Sequence, residues 1–376
     1  MKNTFLITLL TLILLSCSDE SQQELPVDIE KEIQSRIDTG YHLNTVIGVV
    51  DKNGTRFYNY GQMSLTDSLK PNENSIFEIG SIAKVFTTAL LADLELNKEI
   101  KISNSIKLYM PVFEHVLANS NRDITLEDLI NHTSGLPRNP TNVNTDDSNR
   151  LSDYSKADLI EFLSSYTVDS FAKEYVYSNL AYVAIEYAVE AKMKKSYESL
   201  MNERIFGTLG MNDSYFTVPD AERNRLVTPY RSGKHVEELD MGEFPAGGGI
   251  KTTAKEMLGF IAAQLGIHST TLNPALKLTH KERFSNIDGK FGKEYEGKLG
   301  LAWDIMERKE SGKTIHYHKG GTNGFVSFAG FNLEDQIGVV VLASGHRWWS
   351  DLGFKILDPT YPLIITEKLK DFKKAF

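Results

Sequence analysis

Three short patterns in this chain bring groups able to exchange protons near a nucleophile. The first is Ser81-Ile-Ala-Lys84. On a helix, positions i and i+3 share a face, so the Lys84 amine can reach the Ser81 hydroxyl. The surrounding stretch, 76-IFEIGSIAKVFTTALLADLEL-96, is apolar almost throughout. Burial there would desolvate the amine, lower its pKa and suit it to act as a base. The start of a helix adds free N–H groups and a dipole that favour a developing oxyanion. Spacing alone does not decide the matter, because Ser170-Phe-Ala-Lys173 repeats the pattern in a polar setting. A capping serine followed by a lysine reaching for solvent would leave the same signature.

The second pattern is Tyr177-Ser178-Asn179, the chain's single Tyr-x-Asn. A phenol of depressed pKa beside a lysine can carry a proton between nucleophile and leaving group, and Asn179 can offer an amide to substrate. The third is 316-HYHKGGTNGF-325. Its paired glycines before a strand permit close approach of substrate to backbone, and His318 can line a site from the strand face. His316 and His318 share that face. Without His-Glu-x-x-His or a cysteine ligand, they do not make a metal site. No Gly-x-Ser-x-Gly occurs, which argues against an α/β-hydrolase.

The elements that must position these groups are legible in outline. Around 45-TVIGVVDKNGTRFYNYGQM-63, two β-rich runs flank Asp51-Lys52-Asn53-Gly54, a hairpin signal. Near the other end, 325-FVSFAGFNLEDQIGVVVLAS-344 repeats the design around Asn-Leu-Glu-Asp. Between them, 81–97, 126–132, 155–166, 178–193, 196–206 and 254–265 have helical spacing. Thr125-Leu-Glu-Asp128 and Thr253-Ala-Lys-Glu256 have capping-box character, the second matching the Ser/Thr-x-x-Glu form directly. The pattern predicts an α/β (α+β) fold, one antiparallel sheet built from both chain ends, flanked by helices, with an inserted helical lobe. The α/β part would take about 27–80 and 296–376, the lobe about 81–295.

The 376 residues, 41% hydrophobic and 24% charged, are ordinary globular composition with a net charge of −9. No Lys/Arg run suggests nucleic acid. The sole cysteine, Cys17, ends 1-MKNTFLITLLTLILLSC-17, whose apolar run is too short to span a bilayer but fits a signal peptide over 1–16. Leu-Leu-Ser-Cys resembles the bacterial lipobox, which implies lipidation at Cys17. A polar tether, 17–26, would follow. The expectation is a lipid-anchored protein of a bacterial cell envelope, on the periplasmic face or cell surface.

In combination, Ser81-x-x-Lys84, Tyr177-x-Asn179 and His318-x-Gly320 resemble the serine β-lactamase and penicillin-binding protein superfamily, in its branch of class C β-lactamases, DD-peptidases and esterases. Stretches 126-LEDLINHTSGLPR-138, 199-SLMNERIFGTLGMNDSYF-216, 245-PAGGGIKTTAKEML-258 and 321-GTNGFVSFAGF-331 also look like that family. The resemblance implies that Ser81 forms an acyl-enzyme while Lys84 and Tyr177 exchange the proton, without metal or cofactor. The N–H groups of Ser81 and Gly321 would form the oxyanion hole, and Asn179, His318 and Gly320 would contact substrate. Class C β-lactamases have Lys-Thr-Gly where this chain has His318-Lys319-Gly320. Lys319, one position on, should face the other side of its strand. Arg347 is a candidate replacement cation. The resemblance therefore implies a hydrolase of D-amino-acid peptides, such as a peptidoglycan stem, or of related esters and amides. The alternatives are a true class C-like β-lactamase and a non-catalytic binding or sensor homologue.

Overall fold

The computed structural model describes residues 24–117, 122–143, 151–168, 174–231, 233–286, 297–345 and 350–365. Cys17, Ser170 and Arg347 lie outside the described residues.

The hairpin read from the N-terminal part is β1 (His42–Asp51) and β2 (Gly54–Gly61), and the C-terminal one is β11 (Phe325–Asn332) and β12 (Ile337–Gly345). The two are joined through β1 and β12, which pair antiparallel from Val46↔Leu342 to Val50↔Gly338. Strands β10 (Thr314–Gly321), β9 (Asp304–Glu307), β8 (Lys298–Leu299) and β7 (Phe284–Ser285) extend the sheet. Its order is β2-β1-β12-β11-β10-β9-β8-β7, antiparallel at each junction. This is the sheet from both chain ends that the sequence pattern predicts. Smaller ribbons pair β3 (Ile76–Glu78) with β6 (Lys251–Thr253), and β4 (Tyr230–Arg231) with β5 (Lys234–His235).

Side chains alternate across the sheet with the period of two that a strand imposes. Val46, Val50, Val340 and Leu342 face the larger core, whereas Ile47, Val49, Val339 and Val341 face the smaller one. The smaller core is closed by α1 (Val27–Asp38) and the C-terminal helix α11 (Ser350–Leu357). The larger is closed by α2 (Ala83–Leu96), α9 (Ala254–Leu265) and α10 (Asn273–Thr279). The remaining helices are α3 (Phe113–Val116), α4 (Leu126–Ile130), α5 (Lys156–Ser165), α6 (Asn179–Met193), α7 (Tyr197–Met201) and α8 (Gly207–Leu209). A π-helical stretch, Asn202–Phe206, joins the last two.

The two capping expectations resolve differently. Thr125 forms the full reciprocal box with Asp128, whose carboxylate accepts the Thr125 N–H. Thr253 accepts from the Glu256 N–H, but the Glu256 carboxylate turns away to Ser214 and the Asp213 N–H. A tertiary partner has displaced the local one.

Candidate active site

Helix α2 is largely apolar and almost wholly buried, as a helix enclosed by others must be. Phe86 stacks on Phe260 of α9 at 4.0 Å and meets Phe206 edge-on. Ser81 does not sit in α2 itself. It occupies a 3₁₀ turn, Gly80–Ile82, that leads from β3 into the helix. This turn presses against β10. Gly80 has φ +49°, and a Cβ there would lie 2.7 Å from the Gly321 nitrogen. A Cβ on Gly320 would lie 1.9 Å from the Ile79 carbonyl oxygen. Both positions therefore need glycine for the turn to touch the strand. The Ser327 hydroxyl donates to the Ile79 carbonyl at 2.9 Å and fixes the contact from β11.

The Lys84 side chain is fully buried. Its Nζ lies 3.3 Å from Ser81 Oγ, 3.1 Å from Asn179 Oδ1 and 2.5 Å from the Gly247 carbonyl. Burial is the largest cause holding its pKa below the usual lysine value. A neutral amine can donate to the two carbonyl oxygens and keep its lone pair for the Ser81 proton. The Tyr177 hydroxyl donates to Ser81 Oγ at 2.9 Å. Groups read from two separate patterns thus meet at the Ser81 oxygen.

Tyr177 and Asn179 flank Ser178, which caps α6 by accepting from the Ala181 N–H and donating to the Pro137 carbonyl. The buried His132 accepts the Ser178 N–H on Nδ1 at 3.1 Å, so its own proton is on Nε2. Burial pushes its pKa well below the usual histidine range, and its ring packs 4.4 Å from that of Tyr177. The Arg138 carbonyl accepts the Asn179 N–H at 2.8 Å, and the Arg138 guanidinium lies 4.9 Å from the Tyr177 ring centre. The Asn179 amide, expected to face substrate, already donates one N–H to Asn139 Oδ1 at 3.0 Å. Its second N–H remains available.

His318 is buried, and its pKa is lowered to about 3, first by burial and then by the Lys84 charge. Its Nδ1 lies 2.8 Å from the Lys319 carbonyl. A carbonyl only accepts, so Nδ1 carries the proton and Nε2 presents a lone pair. Lys319 takes the opposite sheet face, with its ammonium 5.8 Å from the Tyr317 ring, as the one-residue shift predicts. Ser81 and Gly321 border two cavities. The smaller, about 170 Å³, is lined by Asn139, Asn179, Gly247 and Gly248. The larger, about 510 Å³, is lined by Tyr177, Arg138, His132, His318 and Lys319. A third, about 590 Å³, shares segment 239–241 with the smaller one but does not reach Ser81.

A family model described as Beta-lactamase matches residues 29–353. The chain belongs to the β-lactamase family. It is accordingly a serine hydrolase. A β-lactamase of Lysobacter lactamgenus is 25% identical over 331 residues, covering 79% of this chain and 80% of the relative. The D-alanyl-D-alanine-carboxypeptidase/endopeptidase AmpH of Escherichia coli K12 is 26% identical over 312 residues, covering 79% and 78%. The crystal structure of a β-lactamase/D-alanine carboxypeptidase from Pseudomonas syringae superposes with a TM-score of 0.74 at 21% identity, over 89% of this chain and 98% of that one. Within this β-lactamase-family site, Arg138, His132 and the Gly247 carbonyl were not singled out from sequence. Their signals were the stretches 126–138 and 245–258, which carried the resemblance without revealing which atoms face Ser81.

Proposed function

We propose that this chain is a D-amino-acid peptidase of the bacterial cell envelope, lipid-anchored through Cys17 and working through an acyl-enzyme on Ser81. The observation that carries the reading is the convergence of the Tyr177 hydroxyl and the Lys84 amine on Ser81 Oγ. Ser81 Oγ bonds to the substrate carbonyl carbon while its proton passes to Lys84. The carbonyl π pair becomes an oxyanion facing the N–H groups of Ser81 and Gly321, the kind of donor whose loss costs roughly 10²–10³-fold in kcat. Collapse breaks the C–N bond, the leaving nitrogen takes the Tyr177 proton, and the Lys84 ammonium restores it. Water then cleaves the acyl ester and returns a proton to Ser81. The relative named as a carboxypeptidase/endopeptidase supports peptides as substrates.

A fluorophosphonate probe should label the purified protein once, and Ser81→Ala should abolish both label and turnover of D-alanyl-D-alanine peptides. Labelling that survives Ser81→Ala would defeat the assignment. Efficient nitrocefin hydrolysis with no peptide cleavage would favour a β-lactamase. For the anchor, Cys17→Ala should move the protein out of the membrane fraction. A wild type that is fully soluble with an unmodified N-terminus would refute lipidation.

A further inference from the structure

We infer that Glu78 and Lys251 are positioning residues: between them they grip both main-chain groups of Leu239 and hold its side chain as a wall that limits the length of acyl group accepted beside Ser81. The inference rests on the acyl-enzyme reading for the use of that space.

Glu78 and Lys251 face each other across the short ribbon of β3 and β6, and both are almost completely buried. Strand β3 runs directly into the Ser81 turn. On its other edge Lys251 exchanges both main-chain hydrogen bonds with Tyr215, so its place is held from two sides. The two side chains meet on a third residue. Glu78 Oε1 accepts the Leu239 N–H at 2.6 Å. Lys251 Nζ donates to the Leu239 carbonyl at 2.9 Å and to the Phe216 carbonyl at 3.2 Å. Leu239 lies in irregular chain outside any strand or helix, so its N–H and carbonyl need partners from elsewhere, and this pair supplies both.

The residue so held stands at a boundary. Leu239 lines both the cavity of about 170 Å³ that Ser81 borders and the neighbouring one of about 590 Å³. Its Cδ2 lies 3.8 Å from the point a Gly248 Cβ would occupy, and the Gly80 carbonyl carbon lies 3.8 Å from the same point. The wall is therefore built against the residue that precedes Ser81. Tyr177, the proton donor, lines the other Ser81 cavity and not this one, which leaves the smaller space to the acyl portion. Val143, Leu151, Leu239 and Met241 give it apolar surface suited to a short alkyl chain. Beyond the wall the surroundings turn acidic, with Glu190, Glu237, Glu238 and Glu243. A longer chain meets Leu239 before it reaches that space, and the grip of Glu78 and Lys251 keeps Leu239 from yielding.

The test uses the intact protein and the p-nitrophenyl esters of acetate and octanoate, which share a leaving group. The readout is the ratio of kcat/KM for octanoate to that for acetate. The wild-type ratio should lie below one. Leu239→Ala should raise it by about tenfold or more, the scale on which an apolar pocket senses a misfit methylene. Glu78→Ala and Lys251→Met should each raise it by about two- to tenfold, the scale of one lost hydrogen bond. Glu78→Gln keeps an acceptor for the Leu239 N–H and should stay near wild type. In the Leu239→Ala background, Glu78→Ala should move the ratio no further. Asp351→Ala, which breaks a buried pair with Arg36 elsewhere, controls for general destabilisation and should leave the ratio unchanged. Leu239→Ala truncates only a half-buried side chain, so it keeps the question open to test where Lys251→Met fails to fold. An unchanged ratio in Leu239→Ala overturns the wall. If Glu78→Ala slows both esters alike, its role is purely structural and the inference is overturned as well. The expected pattern in a protein that cleaves no D-alanyl-D-alanine peptide would uphold the wall and defeat the peptidase reading.

Discussion

Tyr177 stands where a single atom separates a catalytic from a structural role. Its ring is packed by His132 and overlain by the Arg138 guanidinium and the Lys84 amine, so Tyr177→Phe keeps the packing and removes only the hydroxyl. Turnover should fall by about 10²–10⁴-fold, the scale of general acid–base catalysis, with KM changed far less. Steady-state kinetics on an activated ester would check this, and near-normal kcat would leave proton transfer to Lys84 and water. The reactive residues were legible because each pair is local: Ser81 with Lys84, Tyr177 with Asn179. Arg138 and the Gly247 carbonyl were not. They reach the site across 39 and 163 residues of chain, from Tyr177 and Lys84 respectively, and only the fold brings them there.

At the scale of elements, the loop 245–249 matters as much as the helices, because it presents the Gly247 carbonyl to Lys84. Three buried side chains hold it. Thr87 of α2 donates to the Ala246 carbonyl at 2.8 Å and hydrogen-bonds the Tyr197 hydroxyl, while Glu186 of α6 accepts the Ala246 N–H at 2.8 Å. Burial pushes the Glu186 pKa well above the usual carboxylate range. With the folded pKa raised, its stabilising contribution is complete below about pH 4.5, the ordinary value, and is lost as pH rises toward the folded pKa. Glu186→Gln keeps an acceptor for Ala246 and removes this titration. Denaturant midpoints across pH should show the Gln variant gaining on wild type as pH rises; parallel curves would refute a buried neutral Glu186. Glu186→Ala should cost about 1–3 kcal/mol by leaving the Ala246 N–H unsatisfied. The sequence showed α6 and α2 as helices from their periodicity. It gave no hint of this frame, since Glu186 reads there as one more polar residue on a helix face.

For the whole molecule, the two chain ends meet twice, once within the sheet and once on its face away from Ser81. Strand β1 pairs with β12, and α1 is clamped to α11 by a fully buried Arg36. Its Nη2 lies 2.7 Å from Asp351 Oδ2, its Nε lies 2.9 Å from Glu32 Oε1, and Nη2 also donates to the Ile364 carbonyl. Asp351 Oδ2 in turn accepts the Ile364 N–H at 2.9 Å. This arrangement closes the sheet without touching the chemistry, because the smaller core lies between it and β10 and β11. Asp351→Ala leaves the Arg36 charge buried with Glu32 as its one remaining carboxylate among these contacts. A buried pair broken on one side costs about 3–5 kcal/mol, and the surviving Glu32 places the expected loss near the lower end, about 3 kcal/mol. That should appear as a lower unfolding midpoint in calorimetry or denaturant titration. Below the transition, kcat/KM should stay within about twofold of wild type, since the Ser81 turn is held by Gly80, Gly320 and Ser327 from the opposite face. A variant that loses activity while still folded would mean that the clamp reaches the site through the sheet, and that closure of the chain ends sets the geometry of β10 as well as its stability.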